Sequence, residues 1–318
     1  MTKHFWLILA IVFVALTPQG ALAAKKYERE LTIAADGSGN FRTFAEAWDA
    51  IRPFMDYTVT VYIKNGIYNE KIIVPAWLQN IEFIGESVEG VIIRNGDYAR
   101  LHNMGTFRTY TIRVDGRDLT FRNMTIENSA VGGGQAVALH TEGDRLRFDN
   151  VRLIGNIDTL YTGGRGAFVD FRNCYIEGTM DFIFGPSTAW FENCTIHSKA
   201  NSYITAASTP METEYGYIFK NCRLTAAPGV DKVYLGRPWR PYASTYFIDC
   251  EMGEHILSAG WHNWKNPENE RTVRYGEYGS HGQGADGQRV TWSRQLTKLE
   301  ADSLTRAKVF RQLSFWQH

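Results

Sequence analysis

The 318-residue sequence has no excess of charge, because 34 basic residues balance 34 acidic ones. This balance gives no indication of nucleic-acid binding or of a clamp for a polyanion. A Gly-x-Ser-x-Gly elbow, which marks one class of serine hydrolase, is also absent from the sequence. No His, Asp or Glu set has the spacing of metal ligands, and no Cys-x-x-Cys pair that could hold zinc occurs. We therefore predict no cofactor, no metal and no nucleic-acid partner.

The N-terminal residues have the pattern of a secretory signal peptide. Lys3 and His4 precede an apolar run over residues 5–16, and Ala21-Leu22-Ala23 provides a small-x-small cleavage site. The run is too short for a comfortable membrane span, and an uncleaved anchor is the alternative. We predict a signal peptide over residues 1–23 and a single domain over residues 24–318. The mature protein is then secreted or periplasmic and has no contact with the membrane.

Helical spacing is confined to two short segments. Apolar residues predict a short N-terminal helix over residues 44–51 and a C-terminal helix over residues 298–310. We expect the second helix to cap the exposed C-terminal end of the fold. Between these segments, short apolar runs bounded by Gly, Asn or Asp indicate strands. Aromatic residues make up 14% of the chain, which suits carbohydrate stacking and an ordinary β-rich core equally well.

A six-residue pattern, Phe-x-Asn/Asp-x-x-aliphatic, recurs at intervals of 20 to 28 residues. Its six copies begin at Phe121, Phe148, Phe171, Phe191, Phe219 and Phe247. Strand-like units with this period and no helices between them indicate an all-β fold, a parallel β-helix or solenoid. A propeller is the alternative, but its blades need about 40 residues. In each coil we expect the Phe and the aliphatic residue to stack inward, and the Asn to occupy a corner.

The four cysteines occupy the same position in four consecutive repeats: Cys174, Cys194, Cys222 and Cys250. Neighbouring coils of such a solenoid lie about 4.8 Å apart, which is within the Cα separation that a disulfide permits. A Cys174–Cys194 bridge is therefore one possibility in an exported protein. A buried ladder of free thiols is the other, since free Cys packs as a small hydrophobe.

Two aspartates lie at the same point of neighbouring repeats. Asp158 follows Phe148 by ten residues, and Asp181 follows Phe171 by ten residues. If the coils stack in register, the two carboxyls also stack, and we expect the pKa of one to be pushed up and that of the other to be pushed down. Such a pair supplies an acid together with a base or nucleophile at one pH. The alternative is a pair of turn-capping aspartates that never meet.

Two further residues suit this chemistry. Arg237 lies between Gly236 and Pro238, and an arginine can grip a carboxylate with two parallel donors. Gln135 stands at the head of an apolar segment that we predict to be a strand, and its neutral amide could donate to a developing oxyanion. Taken alone, Arg237 could equally be a surface arginine in a turn, and Gln135 a strand-edge residue bonded to backbone.

The sequence resembles the pectin methylesterases over nearly the whole mature chain, from about Leu31 to the glycine-rich tail. Four motifs carry the resemblance, in the family's order. They are Gly134-Gln135-Ala136-Val137-Ala138-Leu139, Asp158-Thr159-Leu160-Tyr161, Gly178-Thr179-Met180-Asp181-Phe182-Ile183-Phe184-Gly185 and Leu235-Gly236-Arg237-Pro238-Trp239. The resemblance implies a right-handed parallel β-helix and a carboxylic ester hydrolase that removes methyl groups from the C6 methyl esters of galacturonic acid units in pectin.

The resemblance also implies a role for each matched residue. Asp181 is the nucleophile, and Asp158 protonates the departing methanol and then activates the water that opens the acyl-enzyme. Arg237 orients Asp181, and Gln135 stabilises the oxyanion. The implied substrate-binding residues are Thr106, Phe184, Trp239 and Trp261. The expected partner is pectin or homogalacturonan, and we expect a monomer.

One departure from the family pattern bears on the oxyanion site. The family usually has Gln immediately before the first catalytic Asp, where this chain has Ile157. Asn156 could replace the lost donor, although strand alternation would point it the other way. Two other functions remain open. One is that of a pectin lyase or polygalacturonase. The other, which the loss of this donor favours, is that of a β-helix that binds pectin or hydrolyses a different ester. The calcium-binding acid cluster and basic residue of a lyase are not found at repeat positions.

Overall fold

The computed structural model describes residues 27–311, which form one parallel β-helix. The signal peptide predicted over residues 1–23 lies outside the described residues and remains a prediction. Within the described range, each strand pairs in parallel with strands of the neighbouring coils. The strands stack into three sheets, so that each coil turns three corners. None of the helices in the described range is long and apolar enough to cross a membrane.

Two long strands, Arg117–Asn128 and Leu146–Ile154, run through a corner, so that each contributes to both sheet 1 and sheet 2. The other strands of sheet 1 are Glu30–Ile33, Val59–Ile63, Gln79–Gly85, Phe168–Arg172, Thr188–Glu192, Tyr217–Lys220, Ser244–Ile248, Arg274–Tyr278 and Arg294–Gln295. The other strands of sheet 2 are Gly66–Tyr68, Val91–Asn95, Tyr175–Gly178, Thr195–Ser198, Arg223–Ala226 and Glu251–Met252. Sheet 3 contains Ile72–Val74, Ile112–Val114, Leu139–Thr141, Leu160–Thr162, Ile183–Gly185, Tyr203–Ala207 and Tyr234–Gly236.

The predicted repeat corresponds to the coils of this helix. The phenylalanines that begin the repeats pair in register and stack inside the coil, with ring centroids 4.4 to 5.0 Å apart. The ladder continues one coil toward the N-terminus to Phe83. The repeat Asn or Asp residues lie at corners with positive φ: Asn123, Asn150, Asn173, Asn193, Asn221 and Asp249. Asn and Asp tolerate this left-handed backbone better than other side chains, which explains their recurrence.

The four cysteines are buried free thiols, so the structure contains the thiol ladder and not the Cys174–Cys194 bridge. Each Sγ donates to the carbonyl of a phenylalanine in the preceding coil, at 3.4 to 3.6 Å. Burial raises the pKa of Cys174, Cys194 and Cys222 well above the ordinary value. The thiols therefore pack as small apolar groups with a local hydrogen bond.

The N-terminal helix is confirmed and spans Phe44–Ala50, one residue shorter than predicted. The side chain of Thr43 accepts from the backbone of Glu46 and caps the helix. Phe44 and Trp48 are buried against Tyr68 and Phe83. Three short 3-10 helices, Leu101–Asn103, Thr106–Arg108 and Pro267–Arg271, lie in the connections.

The C-terminal helix predicted over residues 298–310 is broken into two, Lys298–Ser303 and Arg306–Val309. Thr305 interrupts it because its side chain caps the second helix. The expectation that this segment caps the end of the solenoid is wrong. Its residues pack instead on the outer side of sheet 1, because Trp190, Ile218 and Ile248 point outward there and need an apolar cover.

Candidate active site

Asp158 and Asp181 occupy equivalent positions in consecutive coils. Strand Leu160–Thr162 pairs with Ile183–Gly185, and Leu160 lies opposite Ile183. Asp158 is two residues before Leu160, and Asp181 is two residues before Ile183. Both have a left-handed backbone, with φ of 64° at Asp158 and 48° at Asp181. The backbone N–H of Asp158 donates to the carbonyl of Met180. Both side chains line one cavity, so the register brings the two carboxyls together.

Glycines bound the segment that carries Asp181. A Cβ at Gly178 would lie 2.2 Å from the Cβ of Phe182 and 2.7 Å from the carbonyl oxygen of Asn156. Gly185 has a φ of 132°, and a Cβ there would lie 2.2 Å from the carbonyl oxygen of Thr162. Only glycine fits these two close approaches. The tight turn between them holds Asp181 at the mouth of the cavity while Phe182 fills the core.

Arg237 holds Asp181 through two hydrogen bonds. Its Nε donates to Oδ1 at 2.9 Å, and its Nη2 donates to Oδ2 at 2.6 Å. The guanidinium lies between two aromatic rings, 3.9 Å from the centroid of Tyr203 and 3.7 Å from that of Trp264. Bidentate pairing fixes the orientation of the carboxylate, and the two ring faces fix that of the guanidinium. Arg237 is thus part of the site and not a free surface arginine.

The two carboxyls differ in their electrostatic surroundings. Burial, aided by the nearby charge of Asp181, raises the pKa of Asp158 to about 8, against the opposing effect of Arg237. Burial also raises the pKa of Asp181, which is only 8% exposed, while the hydrogen bonds and charge of Arg237 act to lower it. The expectation that one pKa falls below its ordinary value is therefore not met. The arginine favours the ionised form of Asp181, and the shared proton resides on Asp158.

The cavity around the two acids has a volume of about 300 Å³. Four other predicted site residues line it: Gln135, Thr106, Phe184 and Trp239. Gln135 lies in an exposed loop rather than at the head of a strand, because the strand that follows begins only at Leu139. Phe107, whose ring lies 6.4 Å from that of Trp239, also lines the cavity. Sequence reasoning gave no role to Phe107, although it directly follows Thr106.

Trp261 does not reach the cavity, so its prediction as a substrate-binding residue is corrected. Its side chain is 1% exposed and stacks on Tyr275 with ring centroids 4.2 Å apart. The indole Nε1 donates to Glu277, which satisfies its one polar group inside the core. Trp264 lines the cavity in its place. The segment Trp261-His262-Asn263-Trp264 contains both residues, and the left-handed backbone at Trp264 turns the second indole outward.

The position next to Asp158 provides no polar donor from its side chain. Ile157 and Met180, which immediately precede the two acids, both line the cavity with apolar groups. Asn156 does not replace the missing donor, because its side-chain amide donates to the carbonyl of Ala130 at 2.9 Å. Among the residues given a role from the sequence, Gln135 is therefore the neutral amide at the cavity.

Comparison with known proteins identifies the family. The pectinesterase family model matches residues 30–314. Pectinesterase 31 of Arabidopsis thaliana is 37% identical over 285 residues, which cover 86% of this chain and 89% of that protein. Pectinesterase QRT1 of the same plant is 36% identical, covering 87% and 76% respectively.

Solved structures agree with these sequence matches. The pectin methylesterase from carrot superposes with a TM-score of 0.85 at 30% identity, covering 91% of this chain and 95% of its own. The pectin methylesterase PemA from Erwinia chrysanthemi has a TM-score of 0.79 at 28% identity, covering 92% and 99%. A pectin methylesterase in complex with a hexasaccharide has a TM-score of 0.77. The fold is a right-handed parallel β-helix, and the chain belongs to the pectinesterase family.

Proposed function

We propose that this chain hydrolyses the C6 methyl esters of galacturonic acid units in pectin, with Asp181 as the nucleophile. The observation that carries the proposal is the bidentate pair between Arg237 and Asp181 at the wall of a cavity that also contains Asp158. The arginine supplies an oriented, ionised carboxylate, while burial keeps a proton on Asp158. These two protonation states are the ones required to begin an acyl transfer.

In the first half of the reaction, a carboxylate oxygen of Asp181 attacks the ester carbonyl carbon. The amide of Gln135 donates to the oxygen that becomes negatively charged in the tetrahedral intermediate. When the intermediate collapses, the bond to the methoxy oxygen breaks and Asp158 transfers its proton to that oxygen. Methanol leaves, and a mixed anhydride joins Asp181 to the galacturonate.

In the second half, the ionised Asp158 takes a proton from water as the water attacks the anhydride. The C–O bond to Asp181 breaks, which releases galacturonic acid and restores ionised Asp181 and protonated Asp158; the released acid then loses its proton to the solvent. At the end of the cycle each side chain has returned to the charge with which it began. Arg237 stays paired with Asp181 in the resting enzyme at both ends of the cycle.

The polysaccharide would lie across the cavity. Thr106, Phe184 and Trp239 are the proposed substrate contacts, and Trp264 takes the place first assigned to Trp261. Aromatic faces suit the apolar faces of sugar rings. The family member solved with a hexasaccharide supports an oligosaccharide that spans several units. We further propose a monomeric protein that is secreted or periplasmic.

Ile157 favours a second candidate function. If Gln135 alone cannot stabilise the oxyanion, the chain would bind pectin without demethylating it, or would hydrolyse a different ester. Methanol release from highly esterified pectin separates these functions. We expect methanol and free acid in equal amounts, whereas a lyase would give an unsaturated product and a binding protein neither. Binding of the polymer with no methanol released would overturn the proposal.

A further inference from the structure

A half-buried histidine, His262, lies beside the aromatic rings that support Arg237. The ring centroid of His262 is 5.4 Å from those of both Tyr203 and Tyr234. These two tyrosines stack on each other at 5.3 Å across neighbouring strands of sheet 3. Tyr203 is also one of the two rings that hold the guanidinium. The histidine therefore belongs to the packing around Arg237, although the proposed reaction gives it no role.

The same histidine anchors the second ring that holds the guanidinium. The backbone N–H of Trp264 donates to Nδ1 of His262 at 3.0 Å. Because an N–H can donate only to an unprotonated ring nitrogen, the imidazole is the neutral tautomer with its hydrogen on Nε2. This hydrogen bond spans two residues, as in an Asx turn, and closes the turn in which Trp264 has a left-handed backbone with φ of 59°. The His262 side chain thereby helps to direct the indole toward Arg237.

Backbone hydrogen bonds join His262 to the chain on either side of the ion pair. The N–H of His262 donates to the carbonyl of Gly236 at 3.1 Å, and Gly236 directly precedes Arg237. The carbonyl of Tyr203, which lies against the imidazole, accepts from the N–H of Asp181 at 2.9 Å. Short chains of contacts thus connect His262 with both members of the ion pair.

The charges that act on His262 within the described residues are those of two cations. Burial lowers the pKa of His262, and the charges of Arg237 and Lys265 lower it further. The titratable groups packed against the ring from sheet 3 are the phenols of Tyr203 and Tyr234. These surroundings favour the neutral ring, which is the form that the hydrogen bond to Nδ1 requires.

We propose that His262 is a positioning residue for the nucleophile, which holds Trp264 against Arg237 only while its imidazole is neutral. The inference rests on the proposed function, since it assigns the histidine to the orientation of Asp181 in that reaction. Protonation places a hydrogen on Nδ1, where it faces the N–H of Trp264. The hydrogen bond is then lost and a second cation stands near the guanidinium, so the indole is released and the carboxylate loses its fixed orientation. One proton that binds outside the reacting groups therefore lowers activity.

The test compares two variants of this histidine at pH 7.5, where the wild-type ring is neutral. His262→Ala removes the acceptor for the N–H of Trp264, and kcat/KM for methanol release should fall by about fivefold, the worth of one hydrogen bond. His262→Asn should restore most of that loss, because its Oδ1 can accept the same bond in an Asx turn and does not titrate. Full activity of His262→Ala would overturn the inference.

The pH profile separates a positioning role from a merely structural one. As the pH falls from 7.5 to 4.5, kcat/KM of His262→Asn relative to wild type should rise, because only the wild type gains the inhibitory proton. His281→Asn is the matched control, since His281 is exposed and does not line the cavity. Its activity relative to wild type should not change with pH. A constant ratio for His262→Asn over this interval would contradict the inference.

An NMR titration separates this inference from the proposed function, because it requires no catalysis. The nitrogen shifts of the His262 ring should show an unprotonated Nδ1 at pH 7.5 and a pKa below the ordinary value of about 6.5. Arg237→Gln should raise this pKa, since it removes one of the cations, and should leave that of His281 unchanged. A pKa of His262 that does not respond to Arg237→Gln would refute the inference even if methanol release is fully established. A responsive pKa in a protein that releases no methanol would support the link between the two residues and refute the esterase.

Discussion

Two buried carboxylates of the same coil, Asp170 and Asp181, are both held by arginines but are used differently. Asp170 is 0% exposed and lies in sheet 1, where it accepts from Arg172 at 2.9 Å and from Arg306 at 3.1 Å. Arg147 approaches it to 3.6 Å. Burial raises the pKa of Asp170 to about 6 against the opposing charge of these arginines. Burial raises the pKa of Asp181 in the same manner.

The difference between them lies in access and in neighbours. Asp170 is sealed beneath the C-terminal segment that carries Arg306; three arginines lie against it, and the charge of Glu192 also acts to raise its pKa. Asp181 faces an open cavity in which a second carboxyl, Asp158, retains a proton. A perturbed pKa therefore marks burial in both places. It indicates chemistry only where a substrate can enter and a second titratable group can exchange a proton.

The largest expected effect is that of Asp181→Asn. Because the amide cannot act as the nucleophile, kcat for methanol release should fall by about 10⁴-fold or more. Circular dichroism should show that the variant is folded. Asp231→Asn, which changes an exposed acid, serves as the control and should retain full activity. If Asp181→Asn keeps more than a tenth of the wild-type rate, Asp181 is not the nucleophile.

Removal of the arginine partners provides the next comparison. Arg237→Gln should lower kcat/KM by about 10²- to 10³-fold. It should also move the acid limb of the pH–rate profile upward, because loss of the cation raises the pKa of Asp181 and the ionised nucleophile then forms only at higher pH. A full pH profile of methanol release measures both effects.

Arg306→Gln is the counterpart at Asp170. It removes a charge-assisted hydrogen bond from a buried carboxylate, so the free energy of unfolding should fall by about 2 kcal/mol. The folded variant should keep the wild-type pH profile, because Asp170, the carboxylate that Arg306 holds, does not line the cavity. Denaturant unfolding and methanol release test these two expectations. An equal shift of the acid limb in both arginine variants would remove the distinction between the two carboxylates.

Ile157→Gln tests whether the apolar side chain next to Asp158 limits the stabilisation of the oxyanion. An added amide beside Asp158 would supply a second oxyanion donor, so kcat should rise by about tenfold, less than the full worth of such a donor because the loop is not built around it. Ile157→Leu controls for the change in side-chain shape and should leave kcat within about twofold. A fall in kcat with Gln would show that the apolar wall itself serves the reaction.

The last prediction concerns the free energy of unfolding, which the buried carboxyl of Asp158 makes dependent on pH. Between pH 4 and 8 the folded protein holds a proton on this side chain that the unfolded chain has released, since the folded pKa is about 8. Wild-type stability should therefore fall as the pH rises through this interval. Asp158→Asn lacks the titration and should be more stable than wild type at pH 8 by several kcal/mol. The difference should vanish at pH 4, and thermal unfolding at both pH values measures it.

Much of the architecture was predictable because the repeat fixes register. The inward Phe and the corner Asn recur in every coil from Phe121 to Asp249, so the coils and the equivalence of Asp158 and Asp181 follow from spacing alone. The placement of the C-terminal helices was not predictable in this way. It depends on Trp190 and Ile218 pointing outward, and an apolar residue in a strand does not reveal which partner will cover it. The interruption at Thr305 had a local signal, since threonine is a common N-cap.

Repeat spacing alone predicted only Asp158 and Asp181 as a pair, and the family resemblance was needed for the other predicted residues of the site. Gln135 and Trp264 belong to loops, where backbone turns decide the direction of each side chain. The segment between Trp261 and Trp264 offers two equivalent indoles, and only the left-handed backbone at Trp264 decides which one faces the groove. The aromatic contacts around Arg237 were missed because Tyr203 begins a strand of sheet 3 whereas Trp264 lies in a loop, so no shared repeat position links the two rings.

The clamp on Asp181 has a consequence for the order of assembly. Arg237 lies 56 residues beyond Asp181, and Trp264, which supports the guanidinium, follows later still. As the chain emerges from the ribosome, the coils that carry both acids can close before their arginine has been synthesised. A nascent chain that ends before Arg237 would contain both acids but not the guanidinium that orients Asp181. Competence for hydrolysis is therefore acquired near the end of synthesis.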